Sequence, residues 1–83
     1  MKSMVLDYYS KRFNGDFSAA FIHLIREIGQ IAFALEQENT SVAQTKITEA
    51  IALLLYMSSK YEIDIEQNIK TIYSKKLESL TKK

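Results

Sequence analysis

The chain contains no proline and only two glycines among its 83 residues, so very little in it forces the backbone out of a helix. Apolar side chains recur at spacings of three and four rather than two, as they do from Phe17 to Leu35. That spacing places them along one side of an α-helix. The length suits one domain and not two. We therefore predict an all-α protein, with a single helical domain over residues 1–83 built from four helices.

The first helix boundary is marked by the sequence Asn14-Gly15-Asp16. Gly15 can adopt the positive φ that ends a helix, and Asp16 can cap the helix that begins at Phe17. Gly29 lies inside this second helix, where glycine costs about 1 kcal/mol relative to alanine. We therefore expect either a close approach of a neighbouring helix or a bend at Gly29.

The remaining boundaries are marked by polar residues with capping potential. A polar cluster over residues 36–41 separates helices two and three. Ser41 and Gln44 have the spacing of a capping box, which predicts that Ser41 caps helix three. Asp64, with Gln67 three residues later, is predicted to cap helix four.

The apolar positions of three helices form stripes that we predict to face the core. They are Phe17, Phe21, Leu24, Ile28, Ile31 and Leu35 in helix two, Ala43, Ile47, Ala50, Leu54 and Met57 in helix three, and Ile65, Ile69 and Ile72 in helix four. Helix three is widened further by Ile51, Leu53 and Leu55. Because a chain of this size buries only about 60% of its unfolded surface, an apolar content of 47% predicts a homo-oligomer.

Charge and composition exclude several classes of protein. Eleven basic and ten acidic residues give a formal charge of +1, which argues against a basic nucleic-acid-binding surface. The chain has no cysteine and one histidine, so it can form neither a disulfide framework nor a multi-histidine metal site. The longest apolar run, from Ala50 to Met57, is shorter than the ~20 residues that cross a membrane. We expect a soluble, cytoplasmic protein with no nucleic-acid or membrane partner.

Polar residues form a second line beside the apolar stripe on each of the two long helices. The line comprises His23, Glu27, Gln30 and Ala34 on helix two, and Val42, Lys46, Glu49, Leu53 and Tyr56 on helix three. If the two helices pack antiparallel, these lines face each other near the middle of the bundle, where helical bundles build their sites. His23 is interpreted as a packed or surface residue.

The segments Leu24–Leu35 (LIREIGQIAFAL) and Lys46–Glu66 resemble the MazG branch of the all-α nucleoside triphosphate pyrophosphohydrolases. In that family helix two reads L-x-E-E-x-G-E-L-x-x-A, which is matched here most specifically by Glu27, Gly29 and Ala34. The resemblance extends from about Phe17 to Glu66. It implies a four-helix module with a long hairpin of helices two and three, completed as a homodimer or homotetramer. It also implies cleavage of a nucleoside triphosphate to a monophosphate and pyrophosphate.

The resemblance further implies a Mg²⁺ site made by an E-x-x-E pair and an E-x-x-D pair. These pairs fall on Glu27 and Gln30, and on Lys46 and Glu49. Two of the four carboxylates are therefore replaced, one by an amide and one by an ammonium group. Mg²⁺ requires oxygen ligands, whereas a lysine ammonium only donates hydrogen bonds and repels a cation. We predict that Lys46 takes the place of the metal in an ion cluster with Glu27 and Glu49.

Two functional hypotheses remain open. In the first, the chain is a MazG-like pyrophosphohydrolase with weak or no activity and no catalytic residue assigned. Lys46, Arg26 and Lys60 are then the candidates for phosphate binding, and Phe33 and Tyr56 are the candidates for stacking on a base.

The second hypothesis is a non-catalytic homo-oligomeric interaction or nucleotide-sensing module. Here Glu27 and Glu49 are partly buried acids neutralised by Lys46 or Arg26. Aromatic residues at helical spacing then belong to the core or to an interface.

Overall fold

The computed structural model describes residues 2–81, which form four α-helices. They are α1 (Lys2–Phe13), α2 (Phe17–Glu36), α3 (Thr40–Ser59) and α4 (Ile65–Thr81). No strand occurs within residues 2–81. The prediction of an all-α chain with four helices is confirmed.

Two of the predicted helix caps are present in the structure. Gly15 has a φ of +82°, and Asp16 Oδ1 accepts a hydrogen bond from the backbone N–H of Ala19 at 3.0 Å. Asp64 Oδ1 accepts from the backbone N–H of Gln67 at 3.1 Å. Both aspartates therefore satisfy backbone donors that the first turn of a helix leaves free.

The predicted start of α3 is wrong by two residues. Asn39, not Ser41, is the N-cap, and its Oδ1 accepts from the backbone N–H of Val42 at 3.2 Å. The reason is the short turn after α2, in which Glu38 adopts a left-handed conformation with φ of 55°. This turn reverses the chain within residues 37–39, so Asn39 is already in position to cap.

The core lies where α1 packs across the antiparallel hairpin of α2 and α3. Its buried members are Tyr9, Ala20, Leu24, Ala50, Leu53 and Tyr56. Aromatic rings fill one end of it. The Tyr56 ring lies 4.9 Å from that of Phe17 and 5.7 Å from that of Tyr9, between centroids. The single chain thus has a small core of two tyrosines, two leucines and two alanines, with further aromatic rings packed against it.

The predicted core stripes of α2 and α3 are only partly correct. Leu24, Ala43 and Ala50 are buried, and Phe17, Ile31 and Met57 are half-buried. The larger side chains of the same stripes are exposed, namely Phe21, Ile28 and Leu35 of α2 and Ile47 and Leu54 of α3. The buried faces of α2 and α3 differ from the predicted ones for two reasons. Alanines occupy the seam between α2 and α3, and α1 covers the side of α3 that carries Leu53 and Tyr56.

Helix α4 stands apart from the other three helices. It makes no extensive contact with them, and none of its residues from Ile65 to Thr81 is buried. The prediction that Ile69 and Ile72 face inward is wrong, since both are about half exposed, while Ile65 is half-buried. Within residues 2–81, the apolar stripe of α4 beyond Ile65 is left about half exposed or more.

Helix α2 also meets the length and hydropathy criteria for a membrane span, and it alone does so within residues 2–81. Central helices of water-soluble bundles meet the same criteria. In this chain α2 packs mainly against α3, with Ala20, Leu24, Glu27 and Ala34 buried. The absence of a membrane partner therefore stays a prediction.

Candidate functional site: a cationic cleft in front of two carboxylates

An open cleft lies between α2 and α3, with a volume of about 580 Å³. We call it the cationic cleft, and its lining residues are Arg26, Gly29, Gln30, Phe33, Val42 and Lys46. This volume is within the range of small-molecule sites. The lining contains two cations, one amide and one phenyl ring.

The cleft brings together three of the five residues predicted to contact a ligand. Arg26 and Phe33 come from α2, and Lys46 comes from α3. The Phe33 side chain is 64% exposed, so one face of its ring is free to contact a bound molecule. No atom of residues 2–81 lies within 4 Å of the position that a Cβ on Gly29 would occupy. The predicted close approach of a helix at Gly29 is therefore absent, and Gly29 leaves backbone open to the cleft.

The structure places the other two predicted contact residues elsewhere. Lys60 lies at the end of α3, where its Nζ is 5.3 Å from the ring centroid of Phe17 and 5.6 Å from that of Tyr61. Tyr56 is buried in the aromatic part of the core. Neither residue lines the cationic cleft, and Tyr56 has no free ring face to offer a base.

Glu27 is the most deeply buried charged residue of the site, with 3% of its surface exposed. Its Oε1 lies 2.8 Å from Nε2 of His23, one turn earlier on α2. Its Oε2 is buried and has no hydrogen-bond partner among the described residues. A buried carboxylate oxygen without a donor is costly. The sequence contained a signal for the His23 contact, since the two residues are separated by four positions, but the interpretation of His23 as merely packed missed it.

Glu49 and Lys46 form the second charged group. Lys46 Nζ is 3.3 Å from Glu49 Oε1, but the contact lacks hydrogen-bond geometry. The Lys46 and Glu49 side chains are 29% and 44% exposed, so solvent screens the attraction. The predicted ion cluster is thus seen only in its Lys46–Glu49 half, because the contact made by Glu27 is with His23.

Tyr9 of α1 is a buried residue whose hydroxyl is influenced by both carboxylates. Burial raises the pKa of the Tyr9 hydroxyl, and the negative charges of Glu27 and then Glu49 raise this pKa further, with Arg12 opposing them. Both carboxylates therefore act on the same hydroxyl. Sequence reasoning missed Tyr9, because helical spacing alone does not indicate where α1 crosses the hairpin.

The raised pKa of Tyr9 predicts a dependence of stability on alkaline pH. A folded-state pKa above the ordinary value of 10.0 means that the stabilising contribution is complete below pH 10 and is lost as the pH rises through the folded pKa. We expect the free energy of unfolding to fall less between pH 8 and pH 11 in Tyr9→Phe than in the parent protein. Denaturant unfolding at pH 8 and pH 11 measures this. Tyr73→Phe, at an exposed position on α4, is the control and should follow the parent, whereas equal losses in Tyr9→Phe and the parent would contradict the prediction.

The site residues do not fit the Mg²⁺ ion that the family resemblance implies. Two of the four implied ligand positions carry Gln30 and Lys46, and the Lys46 ammonium already contacts Glu49. Within residues 2–81, no group of three or more histidine, cysteine, aspartate and glutamate side chains is placed to hold a metal ion. A divalent cation at this site would therefore be repelled by the Lys46 ammonium and would find too few oxygen ligands.

Comparisons with family models, with curated proteins and with solved structures find no match to this chain. The likeness to the MazG branch therefore depends on the motif residues alone. It stays a prediction.

Proposed function

We propose that this chain is a MazG-like domain that binds a nucleotide in the cationic cleft directly through its own cations, without metal-dependent hydrolysis. The observation that carries the proposal is the meeting of Arg26, Lys46 and the exposed ring of Phe33 in one cleft. A nucleotide combines anionic phosphates with a flat base, and the cleft offers a partner for each.

Each lining residue has a distinct part in this proposal. The Arg26 guanidinium can donate two parallel hydrogen bonds to one phosphate, and Lys46 supplies a second, point-like charge. The ring of Phe33 provides a surface for base stacking, which contributes about 1–3 kcal/mol per base. The Gln30 amide adds one donor group and one acceptor.

The same residues argue against efficient hydrolysis. Attack on a phosphorus atom depends on neutralising the charge of the phosphate oxygens in a fixed geometry, and metal ions normally supply much of that charge. Here a partly screened ammonium group stands at an implied ligand position. We therefore propose a binding module, for which a cytoplasmic location remains the expectation.

The experiment is a calorimetric titration of the chain with ATP in the presence of EDTA. We expect measurable binding, and we expect Arg26→Gln and Lys46→Gln each to weaken it roughly tenfold, as loss of a charge-assisted hydrogen bond would. Lys60→Gln, which removes a cation outside the cleft, is the matched control and should bind as the parent does. Parent binding that is undetectable at millimolar ATP would contradict the proposal.

Two further arms define what is bound and whether it reacts. Phe33→Ala should weaken the binding of ATP and leave that of inorganic triphosphate unchanged, because only ATP has a base to stack. Incubation of the parent with ATP and Mg²⁺ should release no monophosphate above the uncatalysed background. Monophosphate release that requires both protein and metal would replace the binding module with an enzyme.

A further inference from the structure

Helix α4 is amphipathic, and its apolar side is largely exposed. The exposed apolar side chains recur at helical spacing along one side, at Ile69, Ile72, Tyr73, Leu77 and Leu80, and each is between 48% and 68% exposed. We call these five residues the α4 stripe. Short isolated helices are only marginally stable in water, and most helices in proteins are stabilised by packing an apolar face. The α4 stripe therefore indicates that this helix rests on a further surface.

Basic residues are concentrated in the same part of the chain. Residues 70–83 carry five lysines and one glutamate, which is a net charge of +4. Residues 1–69 carry six basic and nine acidic residues, which is a net charge of −3. The formal charge of +1 for the whole chain is thus the sum of an acidic part and a basic C-terminal segment. A basic amphipathic helix is typical of proteins that lie on a membrane surface or bind an acidic partner.

The lysines of α4 lie beside the α4 stripe and within it. Lys70 and Lys75 flank the stripe on its two edges, since each is three positions from one of its members. Lys76 is four positions after Ile72 and three after Tyr73, which places it within the stripe itself. Its Nζ is 5.1 Å from the ring centroid of Tyr73. Any surface that covers the stripe must therefore also accommodate a lysine ammonium group.

The position of Lys76 distinguishes between the surfaces that could cover α4. A dry apolar protein surface would have to bury the ammonium group, and a buried charge without an acidic partner is costly. Nucleic acid would pair with the lysines but would leave the apolar side chains exposed. At a lipid surface, in contrast, the stem of a lysine lies among the acyl chains while its ammonium group reaches the phosphates of the headgroups. Tyr73 suits the same boundary, because tyrosine is enriched at membrane interfaces.

From these observations we infer that α4 lies on the surface of a bilayer that contains anionic lipids, with the α4 stripe inserted among the headgroups and its lysines paired with lipid phosphates. This inference goes beyond the proposed nucleotide binding and does not depend on it. The expectation that the chain has no membrane partner depends on the length of its longest apolar run, which excludes only a helix that crosses the bilayer. A helix that lies on the surface requires instead an apolar side flanked by lysines.

The test is co-sedimentation of the full chain with vesicles of two compositions. One is phosphatidylcholine alone, and the other is equal parts of phosphatidylcholine and phosphatidylglycerol. We expect binding to the anionic vesicles to be at least about tenfold tighter than binding to the neutral ones, because each lysine near an anionic surface is attracted to it. Added salt should weaken binding to the anionic vesicles, since it screens this attraction.

The contribution of charge is measured by removing two lysines from α4. Lys75→Gln with Lys76→Gln should weaken binding to the anionic vesicles about 30-fold. Lys2→Gln with Lys11→Gln removes the same charge from exposed positions on α1. This matched control should bind as the parent does.

The contribution of the apolar side is measured at two adjacent residues of α4. Ile72→Gln removes one member of the α4 stripe and should weaken binding to the anionic vesicles at least about tenfold. Thr71→Gln changes the polar side of the same helix turn and should leave binding unchanged. Both positions are exposed, so neither substitution disturbs the core formed by α1 to α3.

Two results would overturn the inference. One is a parent that stays in the supernatant with anionic vesicles, which would point to a partner protein as the occupant of the α4 stripe. The other is a lysine double variant of α4, or an Ile72→Gln variant, that binds these vesicles as tightly as the parent does. Titration of the same variants with ATP separates this inference from the proposed function, since the cationic cleft is lined by residues of α2 and α3 and should bind ATP as in the parent.

Discussion

The double substitution Gln30→Glu, Lys46→Glu is expected to give the chain an affinity for Mn²⁺ roughly 100-fold above that of the parent. Both residues line the cationic cleft, next to the carboxylates of Glu27 and Glu49. Two unit charges 4 Å apart interact by about 4 kcal/mol at an effective dielectric constant of 20. Removing the ammonium and adding two carboxylates therefore supplies more than the ~2.7 kcal/mol that 100-fold requires. Calorimetry with Mn²⁺, or the electron paramagnetic resonance of free Mn²⁺, measures the change.

The control for this prediction makes the same chemical change at positions that cannot share an ion. Gln44→Glu with Lys60→Glu alters the net charge equally, and both positions are exposed on or just after α3, far apart along the helix. It should bind Mn²⁺ no better than the parent. If four adjacent acids unfold the first variant, Gln30→Glu with Lys46→Gln keeps three carboxylates and removes the cation. Equal Mn²⁺ affinity in the folded variants and the parent would contradict the likeness of this site to a MazG metal site.

The substitution Leu53→Ala is expected to lower the free energy of unfolding by about 2–5 kcal/mol. Leu53 is fully buried, with 0% exposure, between the α1 and α2 faces of the core. Its truncation removes apolar contacts and leaves a cavity that a small bundle cannot fill completely. Since small domains are stable by only about 5–15 kcal/mol, the loss is a large part of the total. Urea denaturation followed by circular dichroism measures it.

The neighbouring residue provides the comparison. Leu54 is 51% exposed and lines an apolar groove between α3 and the start of α4, so Leu54→Ala should cost less than about 1 kcal/mol. A larger loss for Leu54→Ala than for Leu53→Ala would mean that Leu54 faces the core, as predicted from the sequence, and that Leu53 does not.

The buried face of α3 shows how far the sequence alone determines this fold. Helix number, helix type and two caps follow from local chemistry, because Asp16, Gly15 and Asp64 act on backbone groups a few residues away. The buried face of each helix depends instead on which neighbour covers it. Spacing of three and four identified an apolar stripe on α3, but Leu53 and Tyr56 are buried because α1 lies over them. The spacing of the apolar residues does not show where α1 packs on the hairpin.

The candidate site likewise has features that local sequence predicts and features that depend on how the helices pack. The i, i+3 pairs Glu27–Gln30 on α2 and Lys46–Glu49 on α3 could be predicted from helical spacing and the motif. The spacing of four between His23 and Glu27 allowed their contact, but the burial of Glu27 could not be predicted from it. The influence of both acids on Tyr9 could not be predicted either, since it depends on where α1 packs in the assembled bundle. Likewise Arg26 and Phe33 were identified as separate candidates, and only the packing of α2 on α3 brings them into one cleft with Lys46.

The isolation of α4 has a consequence for how the chain reaches its final state. Helices α1 to α3 are joined by short turns and pack on one another within one chain, so the three-helix part should assemble in a unimolecular step. Helix α4 adds little to that step, because Ile65 is half-buried while the residues from Glu66 to Thr81 are exposed. Its helical structure should therefore form after that of α1 to α3, which pulsed hydrogen exchange during refolding measures.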